Sequence, residues 1–452
     1  MARYAFKKIP IVDIEPLLCY GADISKKAVQ QCVTELHRSS RDVGFVSITS
    51  HRVSKELQKD VLYKILEFSK KIYSRQFFAL PLEEKMEIHI AKYKDGKRGY
   101  QRLGQNVTQD GKKPLCTTNQ KKKKKDIHEG FDLLRPTNDP KHWPLNTPNL
   151  WPTNPADYKE VMEEYVKTMS QLGHLLMRGM ALGLRLSPDF FNSFMNESFW
   201  IMRSIHYPVG LNQNLNSNHS TQPSQPSSVD NDYPWGIGCG EHRDYGCLTM
   251  IIQDEVYGNE CLQLRNRNNE WITANTNDER GQQCLVINIG DMLHYWSHGF
   301  YQSTPHRVLN PKPVPTFSLS DKLYHNTGRV SVPFFFEPNW DALVQPIDFS
   351  SQQHADPYTL KFLPWDDIDT QFIGRTHPFQ TNAKSFDVIG SYDYFDGRPV
   401  LFGDHLKKNF WPISCINCPL SPFLLFFLNC LLFMSFFIYI FAEARYKSTK
   451  IL

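Results

Sequence analysis

The residues most suited to chemistry beyond folding begin at His242-Arg243-Asp244, which sets an imidazole and a carboxylate two positions apart, just before the apolar run 247–253. On an extended backbone residues i and i+2 face the same side, so both groups would converge on one point. A second imidazole would complete a two-His-one-carboxylate facial triad, which holds Fe(II) and leaves positions open for a co-substrate and O2. His-x-Asp alone is common by chance, so the reading turns on the distal histidine. The candidates are His294, His298, His306 and His325. His306 lies in STPHRVLN, where polar turn residues enter a strand. His294 and His298 lie in HYWSH at i and i+4, a pair that could bind metal on a helix, although the preceding NIGD turn argues for an irregular stretch. Spacing alone prefers none of them. Arg329-Val330-Ser331 opens the run RVSVPFFFE, and on a strand Arg329 and Ser331 share a face. A guanidinium fork beside a hydroxyl suits the far end of a dicarboxylate. Taken alone, the pair reads more simply as a strand opening on a surface arginine. Cys415-x-x-Cys418 has no second pair and makes a poor zinc site.

The elements that must position these groups fall into two halves. Apolar spacing predicts helices over 26–40, 54–78 and 155–186, the last with Pro155 in its first turn. Their Met and Leu stripes are core-facing. IPIVDI (9–14) and GFVSIT (44–49) read as short strands. After residue 199 short apolar runs alternate with turn signals, at 199–207, 247–253, 261–265, 284–289 and 329–337, the pattern of a β-sandwich, jelly roll or barrel. The chain of 452 residues is 41% hydrophobic and 22% charged, which excludes a wholly disordered protein. Its net charge of +4 comes from one run, Lys121 to Lys125, so no general basic field points to nucleic acid. Ten cysteines are too few for a disulfide scaffold and suit a reducing compartment. MARYAFKKIPIVDI has no apolar core of a secretory signal, so the sequons at Asn106, Asn196 and Asn218 read as chance. Segment 114–125 is polar and of low complexity, 211–232 is rich in Asn, Ser, Gln and Pro and reads as a disordered surface loop, and 311–327 reads as a long polar loop. The apolar run 423–442 is long enough for a bilayer core of about 30 Å.

The order His242-x-Asp244, His306-Arg307-Val308, Arg329-x-Ser331 resembles the Fe(II)/2-oxoglutarate-dependent dioxygenases, in their isopenicillin N synthase-like branch abundant in plants. The resemblance covers about 8–408 and includes FFALPLEEK (77–85), RGYQRLGQN (98–106), DIHEGFD (126–132), WP (151–152), HYP (206–208), GCGEHRDYGCLTMI (238–251), NIGDML (288–293), RVSVPFFFEPN (329–339) and GDHL (403–406). It implies an α+β, mainly β fold: a double-stranded β-helix, or jelly roll, beside a helical N-terminal region. The implied divisions are 8–145, supporting helices over 146–198, the core over 199–345 and a completing extension over 346–410. It also implies that His242, Asp244 and His306 hold iron, and that Arg329 and Ser331 bind the 2-oxoglutarate C5 carboxylate. Tyr207 matches a tyrosine that contacts the co-substrate, and Ile205 stands where many members have Asn. His294 and His298 then become structural.

The implied reaction hydroxylates a small organic metabolite in the cytoplasm, with O2 consumed, succinate and CO2 released, and ascorbate as a reductant. The alternatives are a 2-oxoglutarate-independent oxidase, as in isopenicillin N synthase and ACC oxidase, or a non-catalytic membrane-tethered homologue. Segments 114–125, 316–325 and 411–452 are extra to the family pattern. They read as translated intron or, for 423–442, as a tail anchor facing its catalytic part to the cytosol.

Overall fold

The computed structural model describes residues 5–18, 26–62, 73–92, 97–105, 126–142, 145–209, 235–253, 258–274, 277–278, 280–281, 284–312, 328–349 and 399–410. The expected segments 114–125, 211–232, 316–325 and 423–442 lie outside them, as does His325. Among the described residues no helix is long and apolar enough to cross a membrane.

Helices form where apolar residues recur every three or four positions. α1 (Glu15–Leu18) precedes α2 (Lys26–Asp42), which buries Val29, Cys32, Val33 and Leu36. The expected helix over 54–78 is seen as α3 (Lys55–Leu62) and α4 (Tyr73–Ala79), with 63–72 outside the described residues; α5 (Leu82–Met86) follows. α6 (Tyr158–Gly183) buries Met162, Tyr165, Met169, Leu172, Leu176 and Met180 along one face. Pro155 does not open this helix. It stands in the preceding turn, where its carbonyl accepts the Tyr158 N–H at 3.1 Å and starts the first coil.

Two sheets form the core. The larger has eight strands. They are β1 (Ile11–Asp13), β2 (Phe45–Thr49), β3 (Gly99–Gln101), β4 (Glu129–Leu134), β5 (Ile201–Tyr207), β7 (Leu248–Gln253), β10 (Leu285–Ile289) and β12 (Arg329–Phe336). Their spatial order is β1-β2-β10-β7-β12-β5-β4-β3, parallel at β1–β2 and antiparallel elsewhere. The smaller sheet runs β6-β11-β8-β9, from β6 (Ile237–His242), β8 (Leu262–Arg265), β9 (Trp271–Thr273) and β11 (His306–Leu309). Strands β7, β10 and β12 are buried almost throughout, without alternation, because both their faces are covered. Helices α3 and α6 pack on β7 and β12 from outside, where the Tyr165 hydroxyl donates to the Val332 carbonyl at 3.1 Å. Inside, Phe45, Ile205, Ile251, Leu264, Val286 and Val308 pack together with Tyr207. A jelly roll fits this arrangement.

Short elements complete the frame: α7 (Asn192–Met195), α8 (Gly258–Cys261) and α9 (Asp291–Trp296). HYWSH was expected to be irregular after the NIGD turn. Instead Gly290 is the N-cap of α9, which buries Met292, Leu293, Tyr295 and Trp296. Near the end, β13 (Leu343–Val344) pairs with β14 (Val400–Leu401), and α10 (Phe402–Phe410) follows.

Candidate metal centre

His242 ends β6 and His306 begins β11, and the two are direct cross-strand partners in the smaller sheet. The ladder shifts register just after that pair, an irregularity of the kind that re-aims side chains at functional edges. His242 and Asp244 do not lie on one extended strand as the i, i+2 argument supposed. Asp244 sits past the end of β6, in the turn that carries the chain across to β7 in the larger sheet. The turn, rather than strand alternation, brings the carboxylate to the imidazoles.

Asp244 Oδ1 lies 3.6 Å from His242 Nε2 and 3.7 Å from His306 Nε2, and the potential ligand atoms are all within 4.8 Å of one another. That spacing is one a single ion can bridge. The outer atoms of each group are already committed. His242 Nδ1 meets the Gly240 carbonyl at 2.8 Å and His306 Nδ1 meets the Thr304 carbonyl at 3.1 Å. A carbonyl only accepts, so each Nδ1 carries a proton and each Nε2 is the nitrogen left facing inward, where an ion would take its lone pair. Asp244 Oδ2 accepts from the Thr249 hydroxyl and from the Asn288 amide, the latter at 2.6 Å, which leaves Oδ1 facing the histidines. Burial would lower His242, but Cys239 and Asp244 raise it, while burial and that neighbouring charge hold His306 down, to about 4, so a proton shared by the pair sits on His242 and His306 is neutral. Burial would raise the Asp244 carboxyl, but His306, His242 and its two hydrogen bonds lower it, so it is ionised. Two imidazoles and one carboxylate form a donor set that fits a non-haem Fe(II).

Deeper in the interior, Arg329 is 1% exposed. Its partners among the described residues are neutral: Nη2 donates to the Gln253 amide oxygen at 2.6 Å, and Nη1 lies 3.4 Å from the Ser331 hydroxyl. Its Nε has no hydrogen-bond partner among the described residues. The Tyr207 ring lies 5.1 Å from the guanidinium carbon. Burial pushes the Tyr207 phenol well up while Ser331 hydrogen-bonds it, so it stays neutral. A buried cation with an orphaned donor and hydroxyls beside it fits a carboxylate ligand.

The fold therefore brings His306 to His242 and Asp244, and Ser331 and Tyr207 to Arg329. His294 and His298 are directed elsewhere, their Nδ1 atoms on the carbonyls of Tyr301 and Ile347. Sequence reasoning had no role for Thr249, Asn288 or Gln253. Asn288 lies in the NIGDML motif, but nothing in its spacing tied it to Asp244.

A sheet-rich core with a His-Asp-His set and a buried arginine suits a non-haem iron oxygenase. Two family profiles match the chain: "non-haem dioxygenase in morphine synthesis N-terminal" over 9–154 and "2OG-Fe(II) oxygenase superfamily" over 211–338. A homoarginine-6-hydroxylase of Arabidopsis thaliana is 37% identical over 357 residues, 77% of this chain and 90% of that protein. One of Glycine max is 36% identical over 352 residues, covering 76% and 89%. Among solved structures, a full-length Neurospora crassa protein in complex with alpha-KG shares the fold with a TM-score of 0.53 at 24% identity, over 75% of this chain and 87% of that one. The chain belongs to the 2OG-Fe(II) oxygenase superfamily. It is an oxidoreductase of the dioxygenase type, and its cofactors are those of the superfamily: Fe(II), 2-oxoglutarate and O2.

Proposed function

We propose that His242, Asp244 and His306 hold the Fe(II), that Arg329 and Ser331 with Tyr207 hold 2-oxoglutarate by its C5 carboxylate, and that the enzyme hydroxylates a small basic amino acid of the homoarginine type. The carrying observation is the committed outer shell: both Nδ1 atoms and Asp244 Oδ2 are tied to the protein, so only Nε2, Nε2 and Oδ1 face inward. When bound, the iron and 2-oxoglutarate together supply an oxidation in which O2 is consumed, 2-oxoglutarate gives succinate and CO2, and a substrate C–H becomes C–OH. The chain's own residues orient and exclude. Arg329 offers a charged fork to the carboxylate and Gln253 braces that fork. Phe45 lies edge-on to His306 with ring centroids 5.2 Å apart and keeps that flank dry. The same reading takes 8–145, 146–198, 199–345 and 346–410 as parts of one catalytic unit working in the cytoplasm.

The substrate class rests on relatives named homoarginine-6-hydroxylases in Arabidopsis thaliana, Oryza sativa and Glycine max, at 34% to 37% identity. The test is anaerobic loading with Fe(II), then O2 with 2-oxoglutarate and homoarginine. The expected result is one added oxygen on the amino acid and an equal amount of succinate. Oxidation of the amino acid without 2-oxoglutarate would replace this reading with direct oxidation. Succinate release that homoarginine does not stimulate would exclude the substrate class.

A further inference from the structure

The backbone of the turn Asp244–Cys247 is held from three separate elements. The start of α9 donates three times: Asp291 N–H to the Asp244 carbonyl at 2.8 Å, Met292 N–H to Gly246 at 3.0 Å and Gly290 N–H to Cys247 at 2.9 Å. The remaining carbonyl, that of Tyr245, faces His405 Nε2 of α10 at 3.1 Å. Because a carbonyl only accepts, His405 presents Nε2–H there; its burial favours the neutral ring. From the end of β12, Glu337 Oε2 accepts the Cys247 N–H at 2.8 Å. His405 and Glu337 are each 3% exposed.

Two glycines allow this closeness. A Cβ at Gly290 would lie 2.1 Å from the Gly246 carbonyl oxygen, and one at Gly246 would lie 1.6 Å from Glu337 Oε1. Helix α10 reaches the turn because it is docked: Phe402 N–H donates to Ala342 at 3.0 Å, Gly403 N–H donates to Trp340 at 2.8 Å, and Phe402 and Leu406 are buried.

We propose that His405 and Glu337 are positioning residues for Asp244, fixing the turn that aims its carboxylate, so that α10 is a working part of the metal centre's support. This rests on the reading of His242, Asp244 and His306 as the ligand set. Neither residue touches the ligand atoms; both act on the peptide groups beside Asp244. Partners at this remove tune metal affinity because a carboxylate that can wander binds less well than a fixed one.

The test is Co(II) titration of the full chain, read by visible absorbance, alongside melting of the metal-free protein. His405→Phe and Glu337→Met remove the bonds; His405→Gln and Glu337→Gln keep a donor or acceptor at the same reach. Leu36→Ala loosens the packing of α2 on α6, apart from α10 and the turn. We expect His405→Phe and Glu337→Met to weaken Co(II) binding about 10- to 100-fold, and the two Gln variants to recover most of it. Leu36→Ala should lower the melting temperature and leave affinity near wild type. Wild-type affinity in His405→Phe and Glu337→Met, or equal loss in Leu36→Ala, would overturn the proposal. If His405→Phe does not fold, the Glu337 pair decides by the same comparison. A wild-type chain that binds no Co(II), or binds it unchanged after Asp244→Ala, would overturn the ligand reading and this inference with it.

Discussion

Arg329 shows how much a single side chain can specify. Its charge is buried among neutral partners, so a carboxylate arriving there gains a charge-assisted, two-pronged contact without competing with an internal ion pair. Arg329→Lys keeps the charge and loses the fork. A hydrogen bond to a charged group is worth about 1.5–3 kcal/mol, so the 2-oxoglutarate KM should rise about tenfold or more. Steady-state succinate release against 2-oxoglutarate concentration measures this, and an unchanged KM would move the co-substrate elsewhere. Asn288 is the corresponding case at the metal. Asn288→Ala frees one side of Asp244 Oδ2, which then keeps only the Thr249 hydroxyl. Metal affinity should fall about 10- to 100-fold, read by Co(II) titration. Binding at wild-type strength would mean that Thr249 alone fixes the carboxylate.

Strands β3, β4 and β5 meet α5 at a buried polar knot away from the metal. Glu129 on β4 accepts from Lys85 at 2.9 Å and from the Tyr100 hydroxyl at 2.6 Å, and its second oxygen lies 2.9 Å from His206 Nδ1. Burial would raise its carboxyl, but His206, Lys85 and Tyr100 outweigh burial and bring it to about 2, from an ordinary 4.5. A carboxyl depressed by folding contributes stability above its unfolded value and loses it as pH falls through the folded one. The contribution should therefore be whole above pH 4.5 and fade as pH drops toward about 2. Glu129→Gln strands the Lys85 ammonium in a buried site, and breaking a buried pair costs about 3–5 kcal/mol. Denaturant melts of the two proteins should differ by that much at pH 7 and converge as acid protonates the wild type. A gap that persists at low pH would assign the effect to packing.

Across the whole molecule, the strands and helices of the described residues all end by Phe410, and the relatives align over 76% to 77% of this chain. Residues 1–410 should therefore fold cooperatively and release succinate, whatever 411–452 do. Aggregation of that fragment beside a well-behaved full chain would make the tail part of the fold. Cutting instead before β14 and α10 removes His405, and metal affinity should drop even if the sheets survive. Much of this was legible in one dimension. Helices α2 and α6 and strands β5, β7, β10 and β12 announce themselves because burying a face imposes a period, or burying both faces abolishes it. The candidate residues were also legible, since His242-x-Asp244 and Arg329-x-Ser331 are local patterns, and likeness to a family supplied His306, which the fold brings to His242 and Asp244, where spacing could not. Strand β6 was missed because its residues, IGCGEH, show no alternation, and α9 because a short buried helix behind Gly290 looks like a turn. What only the tertiary structure decided is the pairing across sheets: His306 opposite His242, Asn288 and Thr249 on Asp244, and Glu337 and His405 on the turn beside it. Local periodicity reports which way a residue faces. It carries no record of which distant residue faces it, because that is set by strand order and register, which the packing of the whole chain determines.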